Sequence, residues 1–166
     1  MALENPKLLP LDAMVAERQR LRAAGRSLVM TNGCFDLLHT GHIYFLQQAR
    51  QLGDRLVVAL NSDASVKVLK GPKRPVQSEL ERAFGLAALE CIDYVVLFTE
   101  PTLVKEIVAL QPDLYTKAGD YDLGRLHAGE RAALEAGQAK IQFLPFLTGY
   151  STTRLIQKIM HAGGID

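Results

Sequence analysis

The chain has 166 residues and a net charge of +1, and 48% of its residues are apolar and 22% charged, as in a compact globular domain. It has no long run of lysine or arginine, so it lacks the basic face that sequence-independent nucleic-acid binding needs. Two cysteines, Cys34 and Cys91, are too few for a disulfide scaffold. The apolar runs are too short to cross a bilayer and the N-terminus has no signal pattern, so we expect a cytoplasmic protein without a membrane anchor.

The apolar pattern alternates between short continuous runs, typical of buried parallel strands, and amphipathic stretches, typical of helices. In chain order it predicts helix 11–24, strand 27–31, helix 41–52, strand 55–60, a helix capped by residues 61–63, helix 77–90, strand 94–98, helix 102–110, strand 113–116, helix 128–136, strand 140–144 and helix 152–161. This order implies an α/β protein with a single doubly wound, Rossmann-like sheet of five parallel strands and helices on both faces. We expect residues 1–25 to form an N-terminal helical extension and residues 26–166 to form the functional domain.

Polar segments follow four of the five predicted strands. In doubly wound sheets the ligand binds beyond the carboxyl ends of the strands, so these segments predict a ligand site at that edge. Helix caps and exposed loops explain each segment equally well when it is taken alone. In chain order the segments are Thr31-Asn32-Gly33-Cys34-Phe35-Asp36, Asn61-Ser62-Asp63, Lys117-Ala118-Gly119-Asp120 and Ser151-Thr152-Thr153.

Two histidines, His39 and His42, lie three residues apart at the predicted start of a helix, where they share one face. A helix N-terminus attracts phosphate through its free N–H groups and its dipole. Two imidazoles there can donate hydrogen bonds to the charge that develops on a transferring phosphoryl group. A pair of surface histidines at a helix cap is the alternative interpretation. Metal ligation is a third, although no third ligand has a convincing spacing.

A basic loop, Lys70-Gly71-Pro72-Lys73-Arg74-Pro75, follows the helix after the second predicted strand. Its cations, bounded by glycine and proline, could close over a triphosphate. A solvated surface loop is the alternative interpretation.

The run His39-Thr40-Gly41-His42 resembles the HxGH motif of the cytidylyltransferase-like nucleotidyltransferase superfamily, and Ser151-Thr152-Thr153 resembles its second signature. A longer set of segments is similar to the heptose 1-phosphate adenylyltransferase branch, which often forms the C-terminal half of a bifunctional protein with a sugar kinase. We expect a stand-alone form here. One departure is Ala118, where the branch usually has glycine. The segments are 31–42, 61–63, 69–71, 74–76, Lys117, 119–121 and 149–153.

The resemblance implies the transfer of AMP from ATP to a sugar 1-phosphate, D-glycero-β-D-manno-heptose 1-phosphate in this branch, with release of pyrophosphate. Mg²⁺ would be brought with ATP. The resemblance implies catalytic roles for His39, His42 and Lys70. It implies substrate contacts from Asp36, Asn61, Asp63 and Arg74, with Arg82 as a weaker candidate. It implies nucleotide contacts from Thr31, Asn32, Gly33, Cys34, Phe35, Gly41, Lys117, Gly119, Asp120, Ser151, Thr152 and Thr153.

Several alternatives stay open at this stage. A related enzyme would use CTP with glycerol 3-phosphate or a similar alcohol phosphate, or ATP with flavin mononucleotide. A dinucleotide-dependent oxidoreductase is disfavoured because the first turn lacks G-x-G-x-x-G. A non-catalytic nucleotide-binding protein is disfavoured by the His39/His42 pair and Lys70. A homodimer stays open as an assembly.

Overall fold

The computed structural model describes residues 4–119, 122–145 and 147–163. Its elements alternate between strands and helices as the apolar pattern predicts. They are α1 (Leu11–Ala23), β1 (Leu28–Gly33), α2 (Thr40–Arg50), β2 (Arg55–Asn61), α3 (Asp63–Lys70), α4 (Glu79–Ala87), β3 (Tyr94–Phe98), α5 (Val104–Leu110), β4 (Leu114–Ala118), α6 (Ala128–Ala136), β5 (Lys140–Leu144) and α7 (Thr152–Ala162). None of the helices described is long and apolar enough to cross a bilayer.

The strands form one parallel sheet in the order β3-β2-β1-β4-β5. The chain moves outward from β1 to β3 and then returns to β4, so the strand order reverses between β1 and β4. Val29 of β1 lies opposite Leu114 of β4 at this junction. In open α/β sheets, ligands bind beyond the carboxyl ends of the strands at such a reversal. The prediction of a doubly wound, five-stranded parallel sheet is confirmed.

Two hydrophobic cores lie on opposite faces of the sheet. Successive strand side chains point to opposite faces, so Met30 of β1 joins the core formed with α1, α5 and α6, and Val29 joins the core formed with α2 and α4. The side chains of Val29 and Met30 are both fully buried. Burial on both faces explains why the strands are continuous apolar runs in the sequence.

Helix α1 packs against the rest of the fold. Its Met14 and Leu21 belong to the core on the α5 face. The buried Arg18 donates from Nε to the carbonyl oxygen of Leu110 at 3.1 Å and pairs with Asp113 at 2.9 Å. These contacts tie α1 to the end of α5 and the start of β4. The domain boundary at residue 25 stays a prediction.

Some element ends differ from the predicted ones by a few residues. Helix α4 begins after Ser78 instead of at Gln77, because Ser78 and Glu81 form a capping box. Strand β4 continues past Thr116 because Lys117 and Ala118 pair with Phe143 and Leu144 of β5. A polar side chain at the end of a strand does not interrupt the backbone hydrogen bonds of the sheet.

Candidate active site

The loop after β1 turns sharply and is held by a buried aromatic ring. Phe35 has a positive φ of 43° and is buried. A Cβ atom at Gly33 would lie only 2.9 Å from the Phe35 ring, so glycine is required by this close approach. The Phe35 ring also meets His42 edge-on, with 5.1 Å between ring centroids. The turn therefore fixes the position of one of the two predicted catalytic histidines.

The two histidines stack on each other at the start of α2, with ring centroids 3.7 Å apart and ring planes 18° apart. His39 is the N-cap residue, and its Nδ1 accepts the backbone N–H of His42 at 3.3 Å. A neutral His39 ring that accepts at Nδ1 carries its proton on Nε2, so Nε2 is a hydrogen-bond donor. The pair stands at a helix N-terminus, as the sequence predicts.

Both imidazoles favour the neutral form. Burial lowers the pKa of His39, and burial together with the nearby charges of His39 and Lys70 lowers the pKa of His42 to about 4. Two stacked rings carry charge together only at a cost, because like charges repel at this distance. At neutral pH the free protein thus presents two neutral imidazoles, and Nε2–H of His39 is a hydrogen-bond donor.

The low pKa of His42 predicts a loss of stability in acid. The unfolded state takes up a proton near the ordinary histidine pKa of 6.5, whereas the folded state resists protonation down to about pH 4. The contribution of neutral His42 to the free energy of unfolding is therefore complete above about pH 6.5 and is lost as the pH falls from 6.5 to about 4. Lowering the pH from 7 to about 5 should reduce the free energy of unfolding by about 2 kcal/mol through His42.

The measurement is urea unfolding of the wild type and of His42→Gln across this pH range. The variant has no titrating group at this position, so its stability should fall less between the two pH values. Equal losses in both proteins would contradict the assignment of this pH dependence to His42.

Gly41, between the two histidines, allows two segments to approach closely. A Cβ atom at this position would lie 3.0 Å from Cβ of Tyr150 and 3.2 Å from ring atoms of His39. Tyr150 precedes α7, so glycine brings the N-termini of α2 and α7 to the same place. This contact gives a physical reason for the glycine of the HxGH motif.

A cleft of about 580 Å³, here called the histidine cleft, lies between the starts of α2 and α7. Ser151 caps α7, and its Oγ accepts the backbone N–H of Arg154 at 3.2 Å. Two helix N-termini thus face one cleft, an arrangement that favours a polyanion. Its polar and small lining residues include His39, His42, Lys70, Ala118, Ser151, Thr152 and Thr153.

A second cleft of about 420 Å³, here called the basic cleft, lies beside the first. Lys70 lines both clefts, so they meet at this residue. On β4, Ala118 lines the histidine cleft and Lys117 lines the basic cleft. Burial lowers the pKa of Lys117, while the nearby Glu130 carboxylate acts in the opposite direction. The polar lining residues of the basic cleft are Asn32, Cys34, Asn61, Lys70, Lys117, Arg125, His127 and Glu130.

Two predicted substrate-binding carboxylates have partners within the protein. Asp36 is buried, pairs with Arg74 and accepts the backbone N–H of Val76 at 2.7 Å. Burial by itself would raise the pKa of Asp36, but the hydrogen bonds from Arg74 and the backbone outweigh it and the pKa is lowered. Asp63 pairs with the buried Arg82 at 2.7 Å. These contacts join the loops around the clefts, and substrate binding by Asp36, Asp63 and Arg74 stays a prediction.

Other predicted residues occupy the same edge of the sheet. Asn32 Oδ1 accepts the hydroxyl of Tyr115 at 2.7 Å, and Asn61 donates from Nδ2 to Ser65 Oγ at 2.8 Å. The hydroxyl of Thr31 is buried, with no hydrogen-bond partner in the part of the chain that the structure describes. Asp120 lies outside the described residues. The nucleotide contacts predicted for this group stay predictions.

The positive φ after β4 falls on Gly119, at 95°, and not on Ala118. Alanine at position 118 is therefore compatible with the backbone, although the branch that this chain resembles usually has glycine there. Sequence reasoning missed Arg125, His127 and Glu130, since an isolated arginine and histidine in a polar loop form no motif.

A family model described as cytidylyltransferase-like matches residues 30–158, which run from β1 to α7 and include the histidine pair and the cap of α7. The chain belongs to the cytidylyltransferase-like family. This membership confirms the superfamily predicted from the HxGH run and the nucleotidyltransferase class, and it displaces the oxidoreductase interpretation.

Curated relatives of this cytidylyltransferase-like chain include proteins named bifunctional protein HldE. The protein from Citrifermentans bemidjiense is 50% identical over 94% of this chain and 32% of its own length. The protein from Geobacter sulfurreducens is 46% identical over 96% of this chain and 32% of its own length. The chain thus spans about a third of the length of these relatives. A solved structure, the lipopolysaccharide core biosynthesis protein from Thermoplasma volcanium, has a TM-score of 0.61 and 26% identity, covering 76% of this chain and 100% of that one.

Proposed function

We propose that the chain transfers AMP from ATP to a sugar 1-phosphate, D-glycero-β-D-manno-heptose 1-phosphate, with release of pyrophosphate. The observation that carries this proposal is the pair of clefts that meet at Lys70, beside the reversal of strand order. A reaction between two phosphorylated substrates needs two adjacent anion-binding sites. The identity of about 50% to a protein named HldE supports the choice of acceptor.

ATP would occupy the histidine cleft. Its volume of about 580 Å³ is within the range of nucleotide-sized sites. The triphosphate would lie against the N-termini of α2 and α7, whose free N–H groups and dipoles favour negative charge. Lys70 lies at the exposed C-terminus of α3, just before Gly71, which has a positive φ of 92°. This position allows the ammonium group to approach the phosphates from the side of the basic cleft.

The acceptor would occupy the basic cleft with its phosphate toward Lys70. An oxygen of the acceptor phosphate attacks the α-phosphorus of ATP and forms a new P–O bond. The bond between the α-phosphorus and the bridging oxygen to the β-phosphate breaks, and its electron pair leaves with pyrophosphate. The nucleophile is already an anion, so the protein needs no strong general base. Catalysis then consists of positioning and of stabilising the negative charge that develops.

The histidine pair would donate to this charge. Nε2–H of His39 is fixed as a donor by the hydrogen bond at Nδ1. Mg²⁺ would enter as the ATP complex, because it binds phosphate oxygens readily and keeps several of its waters. The described part of the chain holds no group of three or more His, Cys, Asp or Glu residues that could hold a metal ion.

We expect ATP to be preferred over CTP by at least about tenfold, a difference of about 1.4 kcal/mol. The small Ala118 lines the histidine cleft and leaves room for the wider purine. The test is the initial rate of pyrophosphate release for ATP and CTP, each with heptose 1-phosphate, glycerol 3-phosphate and flavin mononucleotide. Faster turnover of CTP with glycerol 3-phosphate than of ATP with heptose 1-phosphate would contradict the proposed acceptor and the proposed nucleotide. The proposed type of reaction would still hold. Binding of ATP without pyrophosphate release from any pair would favour a non-catalytic nucleotide-binding protein.

A further inference from the structure

We propose that Arg125 and His127 bind the hydroxyl groups of the acceptor and so select a sugar phosphate over a smaller alcohol phosphate. This inference rests on the proposed function, since it concerns the acceptor side of the same site. Both residues line the basic cleft and neither lines the histidine cleft. They therefore belong to the acceptor side of the proposed site and not to the nucleotide side.

The segment that carries both residues is held in place from two sides. Asp122 Oδ1 accepts the backbone N–H groups of Gly124 at 2.8 Å and Arg125 at 3.0 Å. Leu126, between the two residues, is only 6% exposed and belongs to the core on the α5 face. A buried anchor flanked by exposed polar residues gives Arg125 and His127 defined positions at the mouth of the basic cleft.

The hydrogen-bonding state of His127 follows from its role as the N-cap of α6. Its Nδ1 accepts the backbone N–H of Gly129 at 3.2 Å. A neutral ring in this state carries its proton on Nε2, which is then a donor. The guanidinium of Arg125 offers several donors in a fixed fork. Both groups suit the hydroxyl oxygens of a sugar.

The charges of the basic cleft divide it into two parts. Lys70 and Lys117 are placed at the junction with the histidine cleft, because Lys70 lines both clefts and the neighbour of Lys117, Ala118, lines the other. These two cations suit the reacting phosphate. Glu130 is buried and accepts the backbone N–H of Leu103 at 2.9 Å through Oε1. Glu130 lies in the first turn of α6, which His127 caps, and its charge also acts on Lys117. It therefore adds an acceptor for hydroxyl protons between the two parts of the cleft, and a polyhydroxylated ligand supplies such protons.

The size of the cleft supports the same ligand class. Its volume of about 420 Å³ is more than a three-carbon alcohol phosphate fills. A hexose or heptose phosphate would reach from the cations at the junction to Arg125 and His127 at the mouth. Glycerol 3-phosphate bound at the junction would leave these two donors without ligand contacts.

The test uses Arg125→Ala and His127→Asn, with steady-state kinetics for heptose 1-phosphate, glycerol 3-phosphate and ATP. Asparagine is a good N-cap residue and should keep α6 intact. Arg125→Ala should raise the KM for heptose 1-phosphate about 10- to 100-fold, as expected for the loss of a hydrogen bond from a charged group, and His127→Asn should raise it about 2- to 10-fold, as expected for one from a neutral group. The KM for ATP should stay within about twofold, and the preference for the sugar phosphate over glycerol 3-phosphate should fall.

Arg131→Ala is the matched control. Arg131 lies on α6, the helix that His127 caps, pairs with Glu135 at 2.7 Å and lines neither cleft. Its KM values should equal those of the wild type. An unchanged acceptor KM in both test variants, or a KM for ATP raised as much as that for the sugar phosphate, would overturn this inference while the wild-type turnover upholds the proposed function. A wild type that releases no pyrophosphate with any sugar phosphate would overturn both.

Discussion

His39→Ala and His42→Ala are each expected to lower kcat about 100- to 1000-fold, the usual cost of removing one preorganised donor to a developing charge. The two rings stack at 3.7 Å at the start of α2, and both line the histidine cleft. Both rings are neutral and in place before the reaction, and each neutral ring carries one N–H. Because they act on the charge of the transition state, kcat should fall more than the KM for ATP rises.

The measurement is pyrophosphate release at saturating ATP and acceptor, with thermal unfolding recorded for each variant. His161→Ala is a suitable control, since His161 lies exposed on α7 and outside the histidine cleft. Glutamine at either position keeps an N–H donor at a similar reach, so His39→Gln should retain more activity than His39→Ala. Turnover within threefold of wild type in both alanine variants would restore the interpretation of a surface histidine pair at a helix cap.

Arg82→Met is expected to reduce the free energy of unfolding by about 3 to 5 kcal/mol, because a buried guanidinium that satisfies several acceptors is lost and each acceptor left buried without a donor costs about 1 to 3 kcal/mol. The guanidinium is fully buried and holds three segments together. It donates to the carbonyl oxygens of Cys34 at 2.6 Å and Asn61 at 2.8 Å, and it pairs with Asp63 at 2.7 Å. Its Nε also donates to the carbonyl oxygen of Gln77 at 3.1 Å. Methionine fills much of the volume but leaves all four acceptors without this donor.

Urea unfolding at neutral pH measures this loss directly. Arg131→Met is the matched control, because the exposed Arg131–Glu135 pair should contribute at most about 1 kcal/mol. If Arg82→Met lost no more stability than the control, Arg82 would not be the connection between the loops after β1 and β2.

The sheet and the edge at which we propose that phosphate binds could be predicted from the sequence because local patterns encode them. Strands buried on both faces are continuous apolar runs, and the capping residues His39 and Ser151 directly precede their helices. The reversal of strand order then brings the starts of α2 and α7 together. No long-range contact had to be known for this part of the site.

The pairing of buried charges could not be predicted in the same way. Asp36 and Arg74 are 38 residues apart, and Asp63 and Arg82 are 19 apart. A carboxylate at the end of a strand looks the same in the sequence whether it binds a ligand or an arginine of the protein. The same limit applies to Arg125 and His127, which only the fold brings to one cleft with Lys117.

The proposed transfer of AMP from ATP to the acceptor phosphate is tested most directly by ³¹P NMR of the complete reaction with ATP, Mg²⁺ and heptose 1-phosphate. We expect the signals of a diphosphate diester and of pyrophosphate to grow in equal amounts, with loss of the acceptor phosphate signal. Acceptor labelled with ¹⁸O in its phosphate should leave no label in pyrophosphate, because only the acceptor oxygen attacks the α-phosphorus. Formation of ADP and inorganic phosphate, or transfer of the label into pyrophosphate, would contradict the proposed reaction.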